Sequence, residues 1–326
     1  MYSPKCSLFR APGCAECPER VESILRVLHL NFDADRRVCF REARAVSEEE
    51  ILLFHTPEHL AKLKTYASLA KRGRHRSKGF HPDSQVVAGT YDAVLHAAGS
   101  VVHALDCMYS RTSNDYITTA FCVVRPPGHH ALPGSSGGFC FLNNAGIGAM
   151  YALHSLGAKR VAVLDWDVHH GNGTESGFTP NNNLFYGSTH EVDSWPKSAK
   201  DPSPLVGQSA ISPHDRRIVN RQLSAGSASK EEFRDKWRDI LSEMERFRPG
   251  LVIMCAGFDA HKLDKLSRCV LEAEDFQWVT DQITMSCWRL SEVEPRSEVR
   301  YMSVLEGGYN VDANTTSAVC HVESML

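Results

Sequence analysis

Asp165, Asp167 and His169 alternate at the end of the apolar run Val161–Leu164, within the stretch RVAVLDWDVHHGNGT over 160–174. Alternate side chains of an extended segment share a direction, so two carboxylates and an imidazole face the same way. Uncompensated charges at the end of a buried strand cost several kcal/mol each, and a divalent cation is the simplest compensation. An Asp-rich turn with a stray histidine pair is the bland alternative. Asp-x-Asp-x-His-His closing a buried strand outweighs it. Asp259 closes another apolar run, LVIMCA over 251–256. Asp167, His169 and Asp259 thus offer two carboxylates and one ring nitrogen. Three such protein ligands leave a position open for water and substrate, the pattern of a catalytic zinc site. A further short run, AFCVVR over 120–125, breaks into Pro126-Pro127-Gly128-His129-His130. The prolines stiffen that loop and the glycine lets it turn, which holds two adjacent imidazoles in fixed directions.

The elements that must position these residues follow from periodicity. The runs 161–164, 184–188, 251–256 and 300–305 suit strands covered on both faces, because none has a helical period. Helical spacing marks 16–30, 47–66 (interrupted near Pro57), 89–108, a segment ending near Gly157, and 274–290. Ser229 and Glu232 predict a capping box for a helix reaching about Phe247. Trp195–Arg217, rich in Pro and Ser, reads as a long loop. Alternating strands and helices without a break in composition predict one doubly wound α/β domain with a mostly parallel sheet. The strand-end loops would then meet along one edge, where open α/β sheets place ligands.

Composition excludes several classes. A net charge of −3 argues against nucleic acid as the main ligand. No apolar stretch is long enough to span a membrane. The opening MYSPKCSLFRAPG reads as no signal peptide. The 11 cysteines are an odd number lying largely in apolar segments, which points to a reducing, intracellular compartment, nucleus or cytoplasm. Cys14 and Cys17 read as loop thiols, with a redox role left open. The basic run KRGRHRSK over 71–78 reads as a solvated loop ahead of a nuclear-import patch or a rim attracting acidic substrates.

RPPGHH (125–130), GGFCFLNNA (137–145), LDWDVHHGNGT (164–174), AGFDAH (256–261) and LEGGYN (305–310) resemble, in order, the motifs of the zinc-dependent histone deacetylases, with class II wording. The resemblance implies an arginase/deacetylase fold as a single catalytic domain over 1–326. It favours one zinc over the two manganese ions of the arginase relatives, since the later strand offers only Asp259. It makes His130 the general base and acid, His129 its tandem partner oriented by Asp165, and Asn172 the neutral partner of His130 where class I has Asp. Tyr309 matches the hydroxyl that bonds the acyl oxygen. A structural potassium ion would take oxygens from Asp165, Asp167, His169, Ser188 and Thr189. Gly138, Phe139 and Trp195 would line an acyl-lysine tunnel, Ser84 would meet the substrate backbone, and Leu266 stands where polyamine deacetylases of the family carry an acidic gatekeeper.

The implied activity is hydrolysis of the amide of N-acetyl-lysine in proteins such as histones or tubulin. A polyamine deacetylase and a weakly active acetyl-lysine reader are the alternatives, and partners of the corepressor type stay open. Three departures from the family pattern stand out. Met1–Pro4 already matches residues that follow the usual opening strand, so that strand is expected to be missing or replaced, or the chain to be a fragment. The loop after Trp195 lacks the usual Pro-Gly-Thr-Gly. His261 follows Asp259 closely, with an outward, rim position expected for its ring.

Overall fold

The computed structural model describes the chain except for residues 74–79, 82, 111, 113–114, 197–215, 227 and 294–297. Most of the basic run and most of the long loop after Trp195 therefore lie outside the described residues. The helices and strands are α1 (Glu19–Phe32), α2 (Glu48–Ile51), α3 (Pro57–Lys71), α4 (Thr90–Tyr109), β1 (Phe121–Cys122), α5 (Asn144–Ser155), β2 (Val161–Asp165), α6 (Asn172–Phe178), β3 (Leu184–Glu191), β4 (Ile218–Leu223), α7 (Lys230–Phe247), β5 (Leu251–Ala256), α8 (Ala273–Val293), β6 (Arg300–Leu305) and α9 (Val311–Met325). A 3-10 turn over Pro4–Leu8 precedes them.

The six strands form one parallel sheet in the order β1-β6-β5-β2-β3-β4. β2 shows why both faces are covered. Val161 and Val163 join the core beneath α3, α4 and α5, whereas Ala162 and Leu164 join the core beneath α1, α7, α8 and α9. α7 illustrates how a strongly charged segment still docks. Phe233, Trp237, Ile240, Leu241 and Met244 recur on one face and are buried, and each such side chain contributes about 1.5–3 kcal/mol by leaving water.

The expected doubly wound parallel sheet is present, with two differences. β1 keeps only two ladder residues of the run 120–125 before the prolines, which cannot donate to a ladder, turn the chain away. β4 went unread because its sequence IVNRQL is polar, with Asn220, Arg221 and Gln222 at least partly exposed on the sheet edge. Beyond β1, Tyr2 makes parallel bridges to Glu42 and Val123. The interruption expected near Pro57 divides the stretch 47–66 between α2 and α3, because Thr56 caps a new start at Pro57. Ser229 caps α7 by accepting the Glu232 N–H, but the Glu232 carboxylate turns to Ser224 instead of closing the box. Among the described residues no helix is long and apolar enough to cross a membrane.

Candidate active site

The strand order places the ends of β2, β5 and β6 side by side, and their loops converge. Asp165 lies opposite Cys255 on β5 and Ser188 on β3. Just past these ends, ligand atoms of Asp167, His169 and Asp259 lie within 4.8 Å of one another. His169 Nδ1 stands 3.1 Å from Asp167 Oδ1 and 3.0 Å from Asp259 Oδ2. Backbone amides hold both carboxylates: Gly307 N donates to Asp167 Oδ2 and Val168 N to Asp259 Oδ1. Gly307 has to be glycine, since a Cβ there would strike both carboxylates. Burial and the neighbouring Asp167 push Asp259 up to about 6. Two fully buried carboxylates sharing one imidazole are short of positive charge, and that donor set of oxygen and nitrogen fits zinc.

Above this group sit the tandem histidines, which behave oppositely. His129 Nδ1 donates to Asp165 Oδ2 at 3.0 Å, and its Nε2 lies 3.8 Å from Asp167 Oδ1. Burial opposes its charge, but the carboxylates of Asp167 and Asp165 outweigh burial and raise it to about 10. His130 Nδ1 faces the neutral Asn172 Oδ1 at 2.9 Å. Burial first, then the neighbouring His129 and His169 rings, hold His130 well below the usual imidazole range. One ring is kept charged and the other neutral, which is how a site separates acid and base roles.

The loop bearing both histidines is fixed from several sides. Glu306 Oε2 accepts from Gly128 N at 2.7 Å and His129 N at 3.1 Å. Burial pushes Glu306 up to about 7. Thr174 N donates to His129 O, and Asn143 Nδ2 to Ala131 O. His129, Cys140 and Glu306 form a second buried set of metal-ligating atoms within 4.8 Å of one another.

A cavity of about 580 Å³ opens onto this centre, lined by His130, His169, Gly138, Phe139, Trp195, Leu266 and Tyr309, with Asp83, Gln85 and Cys14 also on its wall. Phe139 and its predecessor Gly138 adopt left-handed backbone, φ +66° and φ +50°. A Cβ at Gly138 would run into the His130 and Trp195 rings, so glycine is what lets this turn pack there. Trp195 meets His130 edge-on at 4.4 Å and Phe139 meets Tyr309 at 5.6 Å. The Arg20 guanidinium lies 4.7 Å over the Tyr309 ring and donates to the Gly308 and Glu306 carbonyls.

A family model for the histone deacetylase domain matches residues 14–325. The chain belongs to the histone deacetylase family. It is 32% identical over 315 residues to histone deacetylase 6 of Caenorhabditis elegans, covering 94% of this chain and 31% of that protein. It is 31% identical over 306 residues to the histone deacetylase-like amidohydrolase of Pseudomonas aeruginosa, covering 92% and 73%. The mouse polyamine deacetylase HDAC10 is 28% identical over 330 residues, covering 98% and 46%. Among solved structures, the HDA15 HD domain superposes with a TM-score of 0.83 at 27% identity, covering all of this chain and 88% of that one. The family supports an amidohydrolase, and these relatives include both histone and polyamine deacetylases.

Within this family frame, the chain brings most of its expected site residues together: Asp167, His169, Asp259, His129, His130, Asp165, Asn172 and Tyr309 lie around one centre, with Gly138, Phe139, Trp195 and Leu266 on the cavity wall. Ser84 is different. It is 1% exposed and its Oγ has no hydrogen-bond partner, while its neighbour Asp83 lines the cavity. In an irregular loop, adjacent residues face different ways, and the sequence offers no period to choose between them. His261 is buried at 7% exposure, not outward, with its Nδ1 accepting the Leu263 N–H and its ring outside the metal-ligating group. For the expected potassium set, Ser188 and Asp165 are register partners. The Ser188 hydroxyl is bonded to the His190 ring, and the Thr189 hydroxyl accepts from Trp237. All eleven cysteines are free. Sequence reasoning missed the roles of Glu306, Arg20 and Asp83. A lone carboxylate closing the buried run SVL was the available signal for Glu306.

Proposed function

We propose that this histone deacetylase family member is a zinc-dependent lysine deacetylase, hydrolysing the amide of N-acetyl-lysine in proteins. One observation carries the reading: a group of three residues able to ligate a metal reaches, through His169, a cavity whose wall also carries His130, Tyr309 and the Phe139 and Trp195 rings. Asp167, His169 and Asp259 would hold the zinc, which when bound supplies Lewis acidity at the acyl carbonyl. His130, kept neutral, accepts the proton of the attacking water and carries it toward the departing amine. His129, held charged by Asp165, keeps positive potential beside the developing oxyanion. The Tyr309 hydroxyl donates a hydrogen bond to the acyl oxygen, which strengthens as negative charge builds there. Phe139 and Trp195 shield a linear aliphatic chain from water.

A second reading, polyamine deacetylation, has its own observation. Asp83 is a carboxylate on the cavity wall and could pair with a distant ammonium. Leu266, on the same wall, offers no charge, which supports the protein substrate. The test is side-by-side turnover of an acetyl-lysine peptide and N-acetylspermidine by the zinc-loaded protein. Faster turnover of the peptide supports the first reading; a preference for the polyamine replaces it with the second.

A further inference from the structure

Two loops meet beside the cavity: residues 257–271 after β5 and 306–310 after β6. The second carries Tyr309. Its backbone is laced to the first by Phe258 N donating to Gly307 O and Asn310 Nδ2 donating to Leu263 O. At the centre of this seam lies Asp264, 6% exposed and touching no metal-ligating residue by any of its hydrogen bonds. One carboxylate oxygen accepts from Tyr309 N at 2.5 Å and Asn310 N at 3.0 Å. The other accepts from Leu266 N at 2.9 Å. Asp264 N in turn donates to His261 O, closing the turn that carries the carboxylate.

Resting on the deacetylase reading, we propose that Asp264 is a positioning residue that ties the acyl-oxygen donor Tyr309 and the cavity-wall residue Leu266 to one buried carboxylate. The physical case is that three amides converge on two oxygens of one ion, and charge-assisted bonds of that kind are both shorter and stronger than neutral ones. Asn310 also caps α9 through Ala313 N, so the loop is held against a rigid helix on its far side. Tyr309 is thereby fixed at its backbone from Asp264 and over its ring by Arg20. A hydroxyl donor that must meet an oxygen whose charge develops only in the transition state gains from being fixed beforehand. Because the same carboxylate holds Leu266, the position of the oxyanion donor and the shape of the entrance are set together.

The test is a double-mutant cycle with two readouts. Asp264→Ala should lower kcat on an acetyl-lysine peptide by about 10–100-fold, the scale of a displacement near 1 Å at a reacting group, with zinc content little changed and any rise in KM, from release of Leu266, smaller than the loss in kcat. In a Tyr309→Phe background, where there is no hydroxyl left to position, the same change should cost less than about threefold, since residues acting through one another are not additive. Asp264→Asn, which keeps one acceptor oxygen, should be intermediate and serves if the alanine variant fails to fold. Amide exchange gives the second readout and needs no substrate. The Tyr309 and Asn310 amides, which share one carboxylate oxygen, should exchange at least about tenfold faster in Asp264→Ala, with α9 unchanged. The full kcat loss in both backgrounds, or unaltered exchange at 309 and 310, overturns the proposal. An inactive wild-type protein with the expected exchange change would instead overturn the deacetylase reading and leave the positioning role standing.

Discussion

Asn172→Asp would give His130 the carboxylate partner that His129 already has. The molecule contains its own control for the size of this effect. His129, 3.0 Å from Asp165 and 3.8 Å from Asp167, is raised to about 10. His130, whose ring centroid is 3.8 Å from that of His129 but whose partner is an amide, is held well below the ordinary range. A buried carboxylate at hydrogen-bond distance raises an imidazole by roughly 1–3 pKa units, which is roughly 1.4–4 kcal/mol of preference for the charged ring. The sign follows directly. The base is the neutral form, so a raised pKa means the base is lost at a higher pH as the solution is acidified. The acid limb of kcat/KM, followed from about pH 5 to about pH 9, should move upward by at least about one unit. Zinc content, measured in parallel, should not change. An acid limb at the same pH in wild type and Asn172→Asp, with the metal retained, would refute the assignment of His130 as the titrating base.

Tyr309→Phe should retain the fold and the metal while lowering kcat by roughly 10²–10³, the usual loss for one oxyanion donor; a wild-type kcat would remove Tyr309 from the reaction. Leu266→Glu places an acid on the cavity wall and should narrow or reverse the preference for acetyl-lysine peptide over N-acetylspermidine, whereas unchanged ratios would make Leu266 a packing residue only. His55 and His321 are each lowered by burial to about 3. The unfolded chain takes up those protons from about pH 6.5 downward while the folded chain does not, so stability is lost as pH falls between about 6.5 and about 3. At pH 5 this amounts to about 2 kcal/mol per histidine. His321→Gln, read by denaturant melts at pH 7 and pH 5, should show a smaller acid loss than wild type, and an equal loss would contradict the burial argument.

Much of this molecule was legible because its chemistry sits where buried strands end. An apolar run without helical period that stops on Asp165-x-Asp167-x-His169 announces both the strand and the reason for its end. The same holds for Asp259 after β5, whereas the run ending at Glu306 announces the end of β6 but not the carboxylate's role, and Tyr309 was placed by the family resemblance. What escaped is what depends on distant partners. Arg20 reaches carbonyls 286 and 288 positions away, and Asp264 binds amides 45 and 46 positions away. No local period encodes such pairings. β4 escaped because an edge strand needs no continuous apolar run. Ser84, named from the family resemblance, is buried while Asp83 lines the cavity, and a loop has no alternation to say which of two neighbours faces it.

In the proposed reaction Asp167, His169 and Asp259 hold one zinc, and amide cleavage depends on it. The direct measurement is metal content by mass spectrometry together with turnover of a fluorogenic acetyl-lysine peptide, on wild type, Asp167→Ala and Asp259→Ala. Wild type should carry one zinc per chain and turn the peptide over, and each variant should lose both while keeping its fold by circular dichroism. Stoichiometric zinc or wild-type turnover in either variant would contradict the assignment.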